Sequence, residues 1–346
     1  MRKAHRGLLT ALLSASVFGF AHTATAAEIT MATWGGKFGE TFQKNMIEPF
    51  EKQSGHKVKM IFGGSLSNKQ QVAAQKDKPQ IDVLMMARAD ALDAFRRDLT
   101  EALDPKEIPM LNDLTAMGKL MIGDKIVGGG LWAYGWGILY RTDKVKFDIT
   151  SWADLWDPRL KNSVALPSPK YGESMFLVAV NRIAGGKEPN MDAGFGRIQA
   201  MKDNAILEFD GSVAVVKQFT QGEAPVVPII SITASIPIGE GVPAKFVVPK
   251  EGAPGMIDVI SLVKGAPNAK AAKEFLNFAI SAPAIGPTCI TLKVNCVNSK
   301  VPEDKSVLIS NATLQALYAV DDVIINDNKG AWLERWAKDI SPILKK

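Results

Sequence analysis

A tryptophan followed by two glycines stands where a predicted strand ends. The stretch 29-ITMATWGGKFGETF-42 begins as an apolar run, reaches Trp34 and its glycines, and then becomes helical in pattern. Glycine-rich turns between a strand and a helix often hold phosphate, but neither GxGxxG nor GxxxxGK is present here. An aromatic face can instead form the floor of a ligand pocket, and Gly35 lets the backbone approach a ligand closely. The alternative for Trp34 is packing in a core or at a hinge.

Polar or charged residues follow three other predicted strands. Their loops are Gly63-Gly64-Ser65, Ala87-Arg88-Ala89-Asp90 and Asp210-Gly211-Ser212. Ligands bind beyond the carboxyl ends of strands in parallel sheets, so we predict that Ser65, Arg88 and Asp210 face a ligand. A guanidinium can hold a carboxylate or phosphonate through two hydrogen bonds, although Arg88 also fits a solvated surface charge. Asp210 equally fits an N-cap at the start of a helix.

Histidine and serine patterns give little support to catalysis. Outside the first 27 residues the only histidine is His56, which excludes a zinc site built from several histidines. A Ser-His-Asp hydrolase would depend on His56 alone, and its polar surroundings, 52-KQSGHKVK-59, predict a solvated loop. The nucleophile pattern GxSxG is also missing. We therefore predict no catalytic residue, no metal site and no cofactor.

The two cysteines, Cys289 and Cys296, lie seven positions apart. A metal pair would favour C-x₂-C spacing and further ligands. In an exported protein, a disulfide that closes this short loop is the favoured interpretation, with two free thiols as the alternative.

The elements that must position these residues alternate between apolar strands and amphipathic helices. Helical patterns cover 39–53, 68–76 and 268–280, where apolar residues recur on one face. The predicted strands are 29–33, 57–62, 81–86, 205–209, 225–230, 245–248 and 258–263. Strands separated by helices predict parallel sheets in an α/β protein.

The N-terminal segment has the features of a secretory signal. A basic start and an apolar run precede Ala24-Thr25-Ala26, a cleavage pattern that predicts removal of residues 1–27 and export to the periplasm. A membrane anchor would need about 20 apolar residues. Without this segment, 38 basic residues face 36 acidic ones, so the charge predicts no nucleic-acid partner. The remaining chain of about 320 residues exceeds one ordinary core and predicts two lobes.

The most specific segment is 131-LWAYGWGILYRTDKVKFDITSWADLWDPRLKNSVALPSP-169. It contains the pattern Ser/Thr-Trp-x-x-Leu-Trp-x-Pro-x-x-Lys, which runs here from Ser151 to Lys161. Together with TWGG near the start, it closely resembles the periplasmic spermidine/putrescine-binding proteins, the solute receptors of ABC importers. The resemblance implies a type II periplasmic binding protein fold, with two α/β lobes joined by two crossing segments.

The resemblance also implies lobe boundaries and site residues. Lobe 1 would comprise 28–133 and 258–300, and lobe 2 would comprise 138–255 and 301–346. The family surrounds a polyamine with aromatic rings and carboxylates, through cation–π contacts and charge-assisted hydrogen bonds. The matching or nearby positions here are Trp34, Asp258 and, by a looser match, Glu173; Tyr134 and Tyr171 are further ring candidates, for which core packing is the alternative.

This sequence differs from the family pattern at positions that would contact the ligand. Met256 stands where the family has a tryptophan, and Ala87-Arg88-Ala89 replaces a segment with Ser/Thr and Tyr. An arginine would repel a polyamine and attract an anionic group. Arg88 opposite Asp258 therefore favours a zwitterion, while a polyamine stays a candidate.

These observations together predict a monomeric periplasmic receptor that delivers a small polar organic ligand to the permease and ATPase of an ABC importer. An exported hydrolase is one alternative. A chemoreceptor partner with the same fold is the other.

Overall fold

The computed structural model of the protein describes residues 26–344. The predicted signal segment therefore lies almost entirely outside the described residues. The strands are β1 (Glu28–Thr33), β2 (Lys57–Phe62), β3 (Val83–Ala87), β4 (Thr100–Glu101), β5 (Lys119–Ile122), β6 (Lys125–Arg141), β7 (Val164–Pro167), β8 (Ala205–Phe209), β9 (Val226–Ile230), β10 (Ala244–Val247), β11 (Gly255–Val263) and β12 (Asn295–Cys296).

Helices alternate with the strands, as the sequence pattern predicts. They are α1 (Lys37–Phe42), α2 (Glu48–Ser54), α3 (Ser65–Ala74), α4 (Arg88–Arg96), α5 (Met175–Ile183), α6 (Asp192–Gln199), α7 (Ser212–Gln221), α8 (Ser231–Gly239), α9 (Ala269–Ala279), α10 (Ala282–Leu292), α11 (Asn311–Gln315), α12 (Asp322–Asp339) and α13 (Ser341–Leu344). A π-helical turn, Gln43–Ile47, joins α1 to α2, and 3-10 turns include Trp152–Trp156 and Tyr171–Ser174.

Two groups of strands share β6, which is 17 residues long. In the first group the order is β2-β1-β3-β11-β6, with β1, β2 and β3 parallel. In the second group β6 continues beside β9, followed by β7 and β8, which are parallel to each other. The first part of β6 pairs with β11 and its last part with β9 and β10. The predicted two-lobed α/β architecture is confirmed, and β6 belongs to both groups of strands.

The composition of β6 suits a strand buried on both faces. Trp132 and Trp136 are fully buried, and the run between them is apolar or aromatic. Gly137 allows β10 to approach, because a Cβ there would lie 2.4 Å from the carbonyl oxygen of Val247. A side chain larger than glycine at this position would separate the two strands.

His56 is buried, so the prediction of a solvated loop is wrong. Its Nδ1 accepts a hydrogen bond of 3.0 Å from the backbone N–H of Ala27, and its Nε2 lies 3.3 Å from a carboxylate oxygen of Glu274. Its ring also stacks on Phe50. Polar neighbours in sequence gave the wrong expectation because α9 covers this residue from a distant part of the chain.

The disulfide prediction is confirmed. Cys289 in α10 is bonded to Cys296 in β12, with 5.7 Å between their Cα atoms. In residues 26–344 no single helix is long and apolar enough to cross a membrane, although α9 and α10, bent by 60°, reach the required length and composition as a pair.

Candidate ligand-binding site

Asp258 lies at the centre of the candidate site. It is on β11, opposite Ala87 of β3 and Trp132 of β6. The indole Nε1 of Trp132 donates to one carboxylate oxygen at 2.9 Å, and the hydroxyl of Tyr134 donates to the other at 2.9 Å. Burial raises the pKa of Asp258 to about 7, although the two hydrogen bonds oppose the shift. Two neutral donors thus hold this carboxylate in place without supplying a positive charge.

Glu173 lies in the 3-10 turn Tyr171–Ser174, which has an unusual backbone. Gly172, Glu173 and Ser174 have φ values of 55°, 57° and 64°, all in the left-handed region. Such a conformation costs about 1–3 kcal/mol for each non-glycine residue, and it is retained where the surrounding structure enforces it. Strained turns of this kind are common at functional sites.

The carboxylate of Glu173 is poorly solvated and surrounded by acidic groups. Its Oε1 is buried and has no hydrogen-bond partner among the described residues. Burial and the nearby carboxylates of Asp90, Asp322 and Asp258 raise the pKa of Glu173 to about 8, against the opposing charge of Lys329. Glu173 and Asp258, predicted from resemblance, therefore lie close enough in space to influence each other.

Trp34 forms an aromatic surface next to Asp258. Its half-buried ring packs against Trp132, with 6.5 Å between ring centroids, and against Phe38 at 6.2 Å. Through Trp132 the aromatic cluster reaches the Asp258 carboxylate. Gly35 follows in the turn, and a Cβ there would lie 3.3 Å from the ring of Phe62. Trp34 is thus placed to contact a ligand, but it also packs on its neighbours.

Ser65 stabilises the backbone next to the candidate site. It is the first residue of α3, and its hydroxyl oxygen accepts a hydrogen bond of 3.1 Å from the backbone N–H of Ala87. Because Ala87 ends β3 and precedes Arg88, this bond fixes the turn from which Arg88 projects. Its contact in this structure is therefore with the protein backbone.

Arg88 is paired with an acidic residue of α12. Its Nε lies 3.0 Å from a carboxylate oxygen of Asp322, whose side chain is buried, while the Arg88 side chain remains 42% exposed. Asp322 thus balances the guanidinium charge in this conformation. The expected role of Arg88 as the contact for a ligand anion stays a prediction, and this ion pair weakens the argument for it.

Helix α12 contacts both α4 and strand β8. Near its N-terminal end, Asn326 donates a hydrogen bond of 2.8 Å to the carbonyl of Ala89, and Lys329 lies 3.1 Å from Asp90. Towards its C-terminal end, the indole of Trp336 donates to Glu208 of β8 at 2.7 Å. We call the contacts of Arg88, Ala89 and Asp90 with α12 the α4–α12 clasp.

Tyr134, Tyr171 and Asp210 have different positions relative to this site. Tyr134 is part of it through Asp258. Tyr171 is buried, donates to Thr233 at 2.9 Å and packs edge-on against Trp136, so it supports the turn that carries Glu173. The side chain of Asp210 is 64% exposed, and one of its carboxylate oxygens lies 3.6 Å from the ammonium of Lys170. The N-cap of α7 is Gly211, and its cap has no side-chain bond, so the capping alternative for Asp210 is wrong.

Sequence reasoning missed four residues that build the site: Trp132, Asp322, Asn326 and Lys329. Trp132 belongs to the aromatic run, but only the register of β6 against β11 places it opposite Asp258. The α12 residues lie more than 230 positions from their partners in α4, as the separation of 239 between Lys329 and Asp90 shows. No local pattern marks such pairs.

A separate cavity of about 720 Å³ has a different lining. It contains Arg182, Arg197, Glu251 and Tyr318 and none of the predicted site residues. Within residues 26–344, no three His, Cys, Asp or Glu side chains are arranged to hold a metal ion.

Comparison with known proteins identifies the family of this chain. The family model for bacterial extracellular solute-binding proteins matches residues 45–316. The chain belongs to this family. The family and the fold are accordingly those of solute-binding proteins that act outside the cytoplasmic membrane.

Individual relatives agree with this assignment. This solute-binding protein is 23% identical over 343 residues to spermidine/putrescine-binding periplasmic protein 1 of Haemophilus influenzae, with 93% of this chain and 88% of the relative covered. The predicted resemblance to polyamine receptors is thus confirmed.

Two solved structures share the fold. One is the periplasmic binding protein AfuA of Actinobacillus pleuropneumoniae, with fructose-6-phosphate bound (20% identity, TM-score 0.74, 91% of this chain and 98% of that chain). The other is AgtB of Agrobacterium tumefaciens R10 in complex with agropinic acid (21% identity, TM-score 0.73, 92% and 99%). Their ligands are two different compounds, so the ligand of this solute-binding protein has to be argued from its own site residues.

Proposed function

We propose that this solute-binding protein captures a small organic ligand with a protonated amine and delivers it to an ABC importer. One observation carries the proposal. Glu173 and Asp258 form no ion pair with a Lys or Arg among the described residues, while neighbouring carboxylates do. Asp90 is paired with Lys69 and Lys329, and Asp322 is paired with Arg88.

Buried carboxylates without a counter-charge are costly, and a ligand ammonium would remove that cost. Ionised Glu173 and Asp258 would accept charge-assisted hydrogen bonds from the amine, and Trp34 would offer a cation–π face. The raised pKa of both carboxyls supports this proposal, since burial without a Lys or Arg partner disfavours their ionised forms.

The lobe boundaries stay part of the proposal: 28–133 and 258–300 for lobe 1, and 138–255 and 301–346 for lobe 2. The pairing of β6 with β11 on one side and with β9 on the other supports them. Asp258 and Trp34 then come from lobe 1 and Glu173 from lobe 2. A ligand held between them would favour the closed arrangement of the lobes.

Partners and location follow from the family. We infer a periplasmic monomer, exported by a cleaved signal, that docks on a permease with its ATPase; the polyamine relative supports this inference. A zwitterion stays a candidate because Arg88 remains partly exposed. The enzyme alternative gains no support from His56, which is engaged with Ala27 and Glu274.

Glu173→Gln tests the proposal directly. Calorimetric titration of the wild type with putrescine, spermidine and 4-aminobutan-1-ol should identify binding of at least one amine. Glu173→Gln should weaken it about 10- to 100-fold, the value of one charge-assisted hydrogen bond. Glu107→Gln is the matched control and should leave binding unchanged, since Glu107 is exposed, pairs with Lys273 of α9 and is not part of the candidate site. Equal affinity in wild type and Glu173→Gln would refute the proposal.

A further inference from the structure

Lys329 occupies a crowded position beside the candidate site. Its ammonium lies 3.1 Å from Oδ1 of Asp90, and the ammonium of Lys69 lies 2.6 Å from the same oxygen. Lys69 also pairs with Asp93 at 2.7 Å. Lys69 and both carboxylates are largely buried, whereas the Lys329 side chain is 22% exposed. Asp90 is therefore fully neutralised by Lys69 and Lys329, and Lys329 is the more accessible of its two partners.

Lys329 reaches the candidate site from helix α12. Helix α12 packs against both α4 and the turn that carries Glu173. Lys329 therefore pairs with Asp90 of α4 and lies on a helix that also contacts the turn carrying Glu173. Its charge acts on Glu173, as its opposing effect on the pKa of Glu173 shows.

Arg88 has a comparable arrangement. It reaches from α4 to Asp322 on α12, while Lys329 reaches from α12 to Asp90 on α4. Two of the four acidic residues around the site are therefore matched by cations of the protein itself. Glu173 and Asp258 remain, and neither forms an ion pair with a Lys or Arg among the described residues.

We propose that Lys329 is a specificity-determining residue that fills the position of a second ligand ammonium, so that the site selects monoamines over diamines. This inference rests on the proposed function. A diamine of similar length would bring its distal ammonium towards a carboxylate that already holds two ammonium groups. Such a like-charge contact opposes binding, and specificity is commonly obtained through repulsion of this kind.

Two ligands with the same four-carbon chain isolate the effect. Putrescine ends in a second ammonium, and 4-aminobutan-1-ol ends in a neutral hydroxyl. Calorimetric titration of the wild type should give a dissociation constant for putrescine that is at least about tenfold larger than that for 4-aminobutan-1-ol. Lys329→Ala removes the charge and opens space next to Asp90. It should shift the ratio of the two constants by about tenfold or more, mainly through tighter putrescine binding.

Two further variants separate charge from folding. Lys329→Met keeps the side-chain volume and removes the charge, so it should shift the ratio in the same direction by a smaller factor. Arg335→Ala is the control on the same helix. It removes ion pairs with Asp192 and Asp339 at the far end of α12 and should leave the ratio unchanged.

The outcomes distinguish this inference from the proposed function. If the wild type binds putrescine as tightly as 4-aminobutan-1-ol, or if neither Lys329 variant changes the ratio, the inference is overturned while the amine receptor stands. If no amine binds the wild type, or if Glu173→Gln binds amines as the wild type does, the proposed function is refuted and the inference with it.

Discussion

Amine binding should strengthen steeply between pH 6 and pH 8. The pKa of Glu173 is raised to about 8 and that of Asp258 to about 7 in the empty site. Both carboxyls must lose their protons to face an ammonium, whereas an alkyl amine stays protonated because its own pKa is about 10. Below its pKa, each carboxyl contributes about a tenfold gain in affinity per pH unit.

The magnitude follows from these values. Between pH 6 and pH 8, ionisation of Glu173 alone contributes about 50-fold to the affinity, and ionisation of Asp258 adds about tenfold, mostly below pH 7. The two carboxyls influence each other and titrate as a pair, so the combined gain should be about a hundredfold or more. At pH 7, binding should release about one to one and a half protons, since Glu173 is mostly protonated and Asp258 is half protonated before the ligand binds.

Calorimetric titration with 4-aminobutan-1-ol in two buffers of different ionisation enthalpy measures both quantities. Glu173→Gln should retain only the smaller gain below pH 7 that belongs to Asp258. A change in wild-type affinity of less than threefold across this range, without proton release, would refute the proposed role of the two carboxyls.

The same pKa values fix the sign of a stability effect. The folded protein holds these two protons at a pH where the unfolded chain, with a carboxyl pKa near 4, has released them. Ionisation of the buried groups therefore lowers the free energy of unfolding as pH rises from about 4 through the folded-state values of about 7 and 8. The ligand-free Glu173→Gln variant should thus gain melting temperature relative to the wild type as pH rises from 5 to 9. A difference that does not change with pH would contradict this assignment.

Three further predictions concern the disulfide, the clasp and closure. Alkylation without reductant, read by mass spectrometry, should label neither Cys289 nor Cys296 in exported protein, and two labelled thiols would contradict the bond. Arg88→Met and Asp322→Asn should each lower the melting temperature, and the double variant should be about as unstable as either single one, because both remove the same α4–α12 ion pair; fully additive effects would argue against the pairing. Small-angle scattering should show a smaller radius of gyration with saturating amine, and an unchanged radius despite proven binding would count against closure of the lobes.

Local patterns in the sequence determined the secondary structure and the fold class. The alternation of apolar runs and amphipathic segments placed β8 at 205–209 and α9 within one residue of its observed bounds. These signals are reliable because strand and helix periodicity depends on neighbouring residues. The seven-residue spacing of Cys289 and Cys296 in an exported chain was equally local, and it predicted the disulfide. The resemblance of a 39-residue segment, together with TWGG near the start, predicted the receptor family.

Tertiary structure decided which charged side chains have an oppositely charged partner. From the sequence, Arg88 is an available cation and Asp322 an unremarked acid, yet their side chains meet because α12 packs on α4. Asp258 and Trp132 are 126 positions apart and become partners only through the register of β11 on β6. Whether a charged group can bind a ligand depends on its burial and on the counter-charges around it. Those are set by contacts between distant parts of the chain, which no local pattern encodes.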